Sequence, residues 1–305
     1  MDKITIYDES FDARKIALLC KECGLEQYLS ERKPLPKSFV RNFPFLYRQL
    51  FGYKRLVAFL HIPKTAGAAL TGMVLDCGQF AIYKGIFSEH LLDFEAQVHT
   101  MLGFQSEVEA GKEVFLCGHY NYLEFMQRGG CQWPSDEILI CIRSPKEIIR
   151  STYNFIGTQL ERNPQSVDSV IWKNIYGNNF SQGSLLNWLS HVESQSVYIR
   201  PYHQYLGLDD EANIDERIAD CLKNNVTVVR SSQLNEWVVE SAFGRELVGR
   251  VPPRTENQSR AIATAFPDEG LLSVAFLALL RREERIFSLL DSWHASTSTR
   301  SRNLS

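Results

Sequence analysis

The chain lacks a long apolar segment, a strong net charge and a cysteine framework. The longest apolar run near its C-terminus, Leu271 to Leu280, has ten residues, whereas a transmembrane helix needs about 20. The net charge of −3 and the pI near 6.2 disfavour nucleic acids and long polyanions as partners. Seven cysteines, an odd number without framework spacing, indicate reduced thiols in an intracellular setting. The one CxxC pair, Cys20 and Cys23, has no second pair, so we expect no metal site.

What remains is a chain of 305 residues that can bury one α/β core with additions. We divide it into an N-terminal helical extension (1–52), an α/β domain (53–294) and a Ser/Thr-rich tail (295–305) that we expect to be disordered. The polar segment 159–183 is either an insertion facing a substrate or a plain long loop. The predicted strands are 56–61, 113–118, 137–143 and 226–230, with a variable stretch before the second. The predicted helices are 10–30, 38–51, 67–77, 145–158, 183–193, 212–223, 232–248 and 268–291.

One apolar strand runs directly into a turn that carries a lysine and then into small residues. Val57 to Leu60 form the strand, and the turn is His61-Ile-Pro-Lys-Thr-Ala-Gly67. A helix starting near Ala66 would direct its free backbone N–H groups and its dipole at an anion. A nucleotide-triphosphatase loop requires Gly-Lys-Ser/Thr, and here the lysine precedes the glycine. The pattern predicts a phosphate site of another kind.

This turn resembles the 5′-phosphosulfate loop of sulfotransferases that use 3′-phosphoadenosine 5′-phosphosulfate (PAPS), in the branch of the carbohydrate 2-O-sulfotransferases. The resemblance covers roughly residues 53 to 290. It implies a P-loop-like three-layer α/β sandwich, with a central parallel sheet and flanking helices. Animal Golgi members carry a membrane anchor, and the lack of such a segment here favours a cytoplasmic, bacterial enzyme.

A second motif follows about eighty residues later. The apolar strand 138–142 ends at Arg143, and Ser144, Pro145 and Glu147 predict a helix with an N-cap serine and a capping-box glutamate. Ser151 lies about two turns into that helix. The resemblance implies that Arg143 and Ser151 bind the 3′-phosphate of PAPS, a role that suits a bidentate guanidinium and a hydroxyl donor.

A histidine lies between the two motifs. The short strand 114–118 ends directly before His119, which places this residue at the edge where open α/β sheets bind ligands. The resemblance implies that His119 removes the proton of the acceptor hydroxyl as general base. Glu89 with His90 is the next candidate base, and Glu124 is a weaker one.

The resemblance also implies a late loop that closes over the nucleotide. Residues Val251 to Arg260 match it loosely, with Thr255, Asn257, Ser259 and Arg260 as candidates, and a solvated loop between helices fits them equally well. The implied PAPS-binding residues are His61, Lys64, Thr65, Ala66, Gly67, Ala68, Ala69, Arg143, Ser151 and Ser259. Family loops place Ser or Thr after the glycine, so Ala68 and Ala69 remove one or two side-chain donors.

The implied reaction transfers a sulfonate group from PAPS to an acceptor hydroxyl without a metal. Lys64 stabilises the leaving phosphate, with His119 as base. A sugar or glycolipid hydroxyl is the favoured acceptor, and a small metabolite or a carrier-bound acyl chain also fits the residues. A P-loop-type nucleotide kinase and a non-catalytic nucleotide-binding module are the alternatives. The sequence carries no signal for an oligomeric state.

Overall fold

Five parallel strands form the centre of the fold, in the spatial order β2-β3-β1-β4-β5. The computed structural model describes residues 13–84, 93–118, 120–128, 132–133, 135–166, 169–170, 173, 184–191, 199–208, 213–223, 225–249 and 263–302. The strands are β1 (Leu56–Leu60), β2 (Phe80–Lys84), β3 (Glu113–Gly118), β4 (Glu137–Ile142) and β5 (Val226–Arg230). Helices cover both faces of this sheet. The structure therefore confirms the predicted three-layer α/β sandwich.

The described helices precede, separate and follow these strands. They are α1 (Arg14–Glu22), α2 (Glu26–Ser30), α3 (Lys37–Phe51), α4 (Gly67–Cys77), α5 (Phe94–Glu109), α6 (Tyr122–Gln127), α7 (Pro145–Arg162), α8 (Ser184–His191), α9 (Pro201–Leu206), α10 (Ile214–Leu222), α11 (Leu234–Glu240), α12 (Ala242–Val248) and α13 (Val274–Arg302). Within the described ranges, no helix is long and apolar enough to cross a membrane.

The residues of β1 alternate between the two sides of the sheet, as parallel strands buried on both faces do. Val57 and Phe59 pack into the layer that contains α4, α11 and α12. Leu56, Ala58 and Leu60 pack into the other layer, together with α1, α3 and α5. The N-terminal helices therefore help to cover one face of the sheet.

Several predicted elements differ from the structure. The stretch predicted as variable contains β2 at the sheet edge and the helix α5. The predicted helix 232–248 is two helices, which meet at Ser241, where the Ser241 hydroxyl accepts from the Gly244 N–H at 2.7 Å. The last helix, predicted over 268–291, begins at Val274 and ends at Arg302.

β1 lies at the centre of the sheet, with β2 and β3 on one side of it and β4 and β5 on the other. It lies between β3 and β4, with Leu60 opposite Gly118 on one side and Phe59 opposite Leu139 on the other. The loops after β1 and β4 therefore leave neighbouring strands at the carboxyl edge, where ligands of open α/β sheets bind.

A buried ion pair fixes the opposite, amino edge of these two strands. Asp136 is fully buried, and its two carboxylate oxygens accept from Arg48 Nη1 at 2.8 Å and Nη2 at 2.9 Å. The same carboxylate accepts the backbone N–H groups of Leu56 at 2.8 Å and of Gln132 and Trp133 at 3.1 Å. Asp136 thus joins α3, the start of β1 and the start of β4.

We predict that Asp136→Asn lowers the free energy of unfolding by about 3–5 kcal/mol, because the Arg48 charge is left buried without its partner. The matched control is Asp215→Asn in the exposed pair between Arg285 and Asp215, whose side chains are 61% and 47% exposed. There we expect a change below about 1 kcal/mol. Urea unfolding measures the change in the free energy of unfolding of both variants. Equal decreases for the two variants would contradict the assigned role of Asp136.

Candidate functional site

The turn after β1 holds two residues in an unusual backbone conformation. Lys64 has φ 65° and Ala66 has φ 70°, the left-handed region that side chains disfavour. Ala66 occupies the N-cap position directly before Gly67, the first residue of α4, and its own side chain makes no capping hydrogen bond. A left-handed residue followed by a right-handed one turns successive N–H groups toward a common point, which suits an anion. The turn therefore has a backbone conformation that is compatible with the predicted phosphate site.

The His61 ring occupies the space beside Gly67 that a side chain at this position would need. A Cβ added at Gly67 would overlap the ring atoms Cδ2 and Nε2 of His61. The ring also stacks on Phe59, with centroids 5.4 Å apart and planes at 19°. The predicted cofactor residue His61 is thus packed against the first turn of α4 and remains half-buried.

Three other predicted residues of the turn have different environments. Thr65 is fully buried, and its hydroxyl donates to the Ile62 carbonyl at 2.7 Å. That proton is used inside the turn, so Thr65 offers a phosphate only its backbone N–H. Ala69 is buried in the core beside the sheet, whereas Ala68 is exposed at the start of α4. The missing hydroxyl of the family pattern therefore matters at Ala68.

Lys64 contacts the loop after β4, through Arg143, and the helix α7, through Phe155. Its carbonyl oxygen accepts from Arg143 Nη1 at 3.3 Å. Its ammonium nitrogen lies 4.3 Å from the ring centroid of Phe155, on α7, a favourable cation–π distance. Ser151 lies four residues before Phe155 in the same helix, and residues at this spacing share a helix face. The structure thus brings the lysine turn beside the predicted Arg143 and Ser151 pair.

Arg143 is held by its side chain and by its backbone. Its Nε lies 3.6 Å from the Glu147 carboxylate. Its N–H donates to the Tyr202 hydroxyl at 2.8 Å, and that hydroxyl donates in turn to the Arg143 carbonyl. The predicted capping box is absent: Ser144 occupies the N-cap position, but its side chain makes no capping bond. Glu147 lies beside the Arg143 guanidinium instead.

Several predicted residues lie outside the described part of the chain. They are His119, Glu89, His90, Thr255, Asn257, Ser259 and Arg260. Gly118, the residue before His119, is described, and its carbonyl accepts the His61 N–H at 3.0 Å. The residue directly before His119 is therefore hydrogen-bonded to the first residue of the lysine turn.

Glu124, the weaker candidate base, is engaged in ion pairs. One of its oxygens is 2.9 Å from Arg41 Nη2, and the other pairs with Arg128 Nη2. Arg41 also lies over the Tyr120 ring, 4.8 Å from its centroid. These contacts give Glu124 a structural partner on each oxygen.

Among the residues with described positions, no group of three or more His, Cys, Asp or Glu side chains could hold a metal ion.

Sequence reasoning missed three residues that support the site: Phe155, Tyr202 and Glu283. Glu283 is buried on α13, and it accepts the N–H of Tyr202 at 2.8 Å and of His203 at 3.1 Å. Burial raises the pKa of Glu283 to about 8, against the opposing effects of these N–H groups and of Arg200 and Arg282. No local pattern marks Glu283, because it sits in a charged run typical of a solvated helix.

We predict that Gly67→Ala destabilises the protein only when His61 is present. In the wild-type background the added methyl group meets the ring and should cost about 1–3 kcal/mol. In a His61→Ala background the same change should be neutral or stabilising by up to about 1 kcal/mol, since alanine favours a helix. Denaturant unfolding of the four proteins gives the coupling energy. Equal effects in both backgrounds would contradict the packing described here.

We predict that Glu283 makes the protein less stable as pH rises. Between its ordinary pKa of 4.5 and its folded value of about 8, the folded state holds a proton that the unfolded chain has released. The free energy of unfolding should therefore fall by up to about 1.4 kcal/mol per pH unit in this window. Glu283→Gln removes this titration, so the stability difference between wild type and variant should shrink with rising pH. A difference that does not change with pH would contradict it.

Comparison of this chain with protein-family models and with curated proteins finds no match.

Proposed function

We propose that this protein is a PAPS-dependent sulfotransferase that transfers a sulfonate group to an acceptor hydroxyl. One observation carries the proposal: the Arg143 guanidinium donates to the carbonyl of Lys64 at 3.3 Å. Two separate candidate phosphate-binding motifs, one after β1 and one after β4, are therefore in contact. A nucleotide with phosphates at both its 5′ and 3′ positions matches two such motifs better than a nucleotide with one phosphate chain.

The turn after β1 supplies the 5′ end of this site. Its left-handed residues and the start of α4 present backbone donors, and Lys64 adds a full positive charge above Phe155. Such donors lose little entropy on binding because the fold already holds them. Ala68 lies where the family pattern has Ser or Thr, so one hydroxyl donor is absent, which weakens binding by about 0.5–1.5 kcal/mol and leaves the backbone donors in place.

The reaction needs positioning and charge stabilisation more than covalent chemistry, as phosphoryl transfer does. PAPS supplies the sulfonate group and leaves as adenosine 3′,5′-bisphosphate. The acceptor oxygen forms a bond to sulfur while the bond from sulfur to the 5′-phosphate oxygen breaks. His119 takes the acceptor proton, which suits an imidazole with an ordinary pKa of about 6.5. Lys64 offsets the charge that develops on the departing oxygen.

The acceptor we propose is a sugar hydroxyl on a glycan or glycolipid. This choice follows from the resemblance of the lysine turn to the carbohydrate branch. The small net charge of the chain gives no attraction for a highly charged polymer, so a short or weakly charged acceptor fits better.

We predict that adenosine 3′,5′-bisphosphate raises the melting temperature and that ATP with magnesium raises it less. A ligand at about 100 times its Kd adds about 2.7 kcal/mol of stability. Arg143→Ala should remove most of the shift with the bisphosphate, since the guanidinium reads the 3′-phosphate. A larger shift with ATP and magnesium would reject this function in favour of a kinase.

The second arm of this experiment follows radiolabelled sulfonate from PAPS into a panel of glycans, glycolipids and small hydroxyl metabolites. Wild-type protein should label at least one member, and His119→Ala should bind the bisphosphate normally without labelling any. Binding without transfer by the wild type would identify a non-catalytic nucleotide-binding module. Full transfer by His119→Ala would move the base to Glu89 or His90.

A further inference from the structure

The backbone of Arg143 is held by a single side chain from a distant part of the chain. Ile142 is the last residue of β4 and pairs with Arg230 of β5, so Arg143 lies one residue beyond the ladder. There the Tyr202 hydroxyl accepts the Arg143 N–H at 2.8 Å and donates to the Arg143 carbonyl. One phenol therefore takes the place of a strand partner for both backbone groups.

Tyr202 can fill both roles because it stays neutral. Its side chain is fully buried, and this burial raises its pKa well above the ordinary value of 10. A neutral phenol keeps one O–H donor and its acceptor lone pairs. The Phe287 ring packs beside it, with centroids 6.3 Å apart. The position of the hydroxyl is therefore set by packing as well as by hydrogen bonds.

Tyr202 is in turn fixed by α13. Both oxygens of Glu283 accept N–H groups from the first turn of α9, one from Tyr202 and one from His203. Contacts therefore run without a break from Glu283 to Tyr202, from Tyr202 to Arg143, and from Arg143 to the Lys64 carbonyl.

We propose that Tyr202 is a positioning residue that sets the affinity of the site for a 3′-phosphate by fixing the backbone of Arg143. This inference rests on the function proposed above. A guanidinium binds phosphate through a rigid fork, so a small displacement of its Cα moves both donors away from the phosphate oxygens. The 5′-phosphate is bound mainly by the turn after β1, and its affinity should depend less on Tyr202.

The test compares two ligands and two tyrosines. Tyr202→Phe keeps the ring and removes both hydrogen bonds to Arg143. Tyr83→Phe is the matched control, because Tyr83 is 1% exposed and its hydroxyl also donates to a backbone carbonyl, that of Val40. Titration calorimetry measures the Kd of adenosine 3′,5′-bisphosphate and of adenosine 5′-monophosphate for the wild type and both variants.

We expect Tyr202→Phe to weaken the bisphosphate about tenfold and the monophosphate less than about twofold. Tyr83→Phe should leave the ratio of the two Kd values at its wild-type level. If Tyr202→Phe does not fold, Glu283→Gln is the second variant, because Glu283 accepts the N–H groups of Tyr202 and His203 in α9. It should also weaken binding of the bisphosphate more than binding of the monophosphate.

Two outcomes overturn the inference in distinguishable ways. In the first outcome the wild-type protein prefers the bisphosphate, and the ratio of the two Kd values is the same for Tyr202→Phe and Tyr83→Phe. This result rejects the positioning role alone. A wild-type protein that binds both nucleotides equally rejects the proposed function and the positioning role with it.

Discussion

The Asp136 carboxylate is the contact on which the central strands depend. It lies at the amino edge of the sheet, accepts hydrogen bonds from Nη1 and Nη2 of Arg48, and accepts one from the backbone N–H at the start of β1. Val57 then pairs with Glu137, so the carboxylate fixes where β1 and β4 begin relative to each other. A slip of one residue would turn every side chain of a strand to the opposite face. The buried pair therefore protects both the core and the alignment of the loops beyond it.

The loops that follow the same two strands are also in contact, at the carboxyl edge of the sheet. There Arg143 donates to the Lys64 carbonyl. The Arg143 side chain is 26% exposed, whereas that of Arg48 is 6% exposed. The rigid sheet places the two loops beside each other, and the side chains of the loops complete the site. This division of labour is common in α/β folds, where stability lies in the scaffold and chemistry lies at the strand ends.

The sequence predicts the parts of this structure that depend on neighbouring residues. The strand before His61, the helix starting at Gly67 and the position of Arg143 at a strand end all follow from local apolar runs and turn residues. The edge strand β2 was not predicted, although with five residues it is as long as β1 and β5. Ser144 lies at the predicted N-cap position, but its side chain makes no capping bond, and Glu147 lies beside the Arg143 guanidinium.

The supporting residues of the site could not be read from the sequence for a different reason. Tyr202 and Arg143 are 59 residues apart, and Glu283 is 81 residues from Tyr202. Their contacts exist only because α9 and α13 pack on the same side of the sheet. The partner of the Thr65 hydroxyl could not be predicted from residue type either, since this hydroxyl donates to the Ile62 carbonyl within the turn.

The packing of His61 on Gly67 has a consequence for the divergence of this protein. The space that a side chain at position 67 would need is filled by the imidazole ring, so the two positions are not free to vary independently. A larger residue at position 67 requires that the ring at position 61 moves or is replaced by a smaller side chain. Related chains should therefore fall into two groups, one with an aromatic or imidazole ring opposite glycine and one with a small residue opposite alanine or serine.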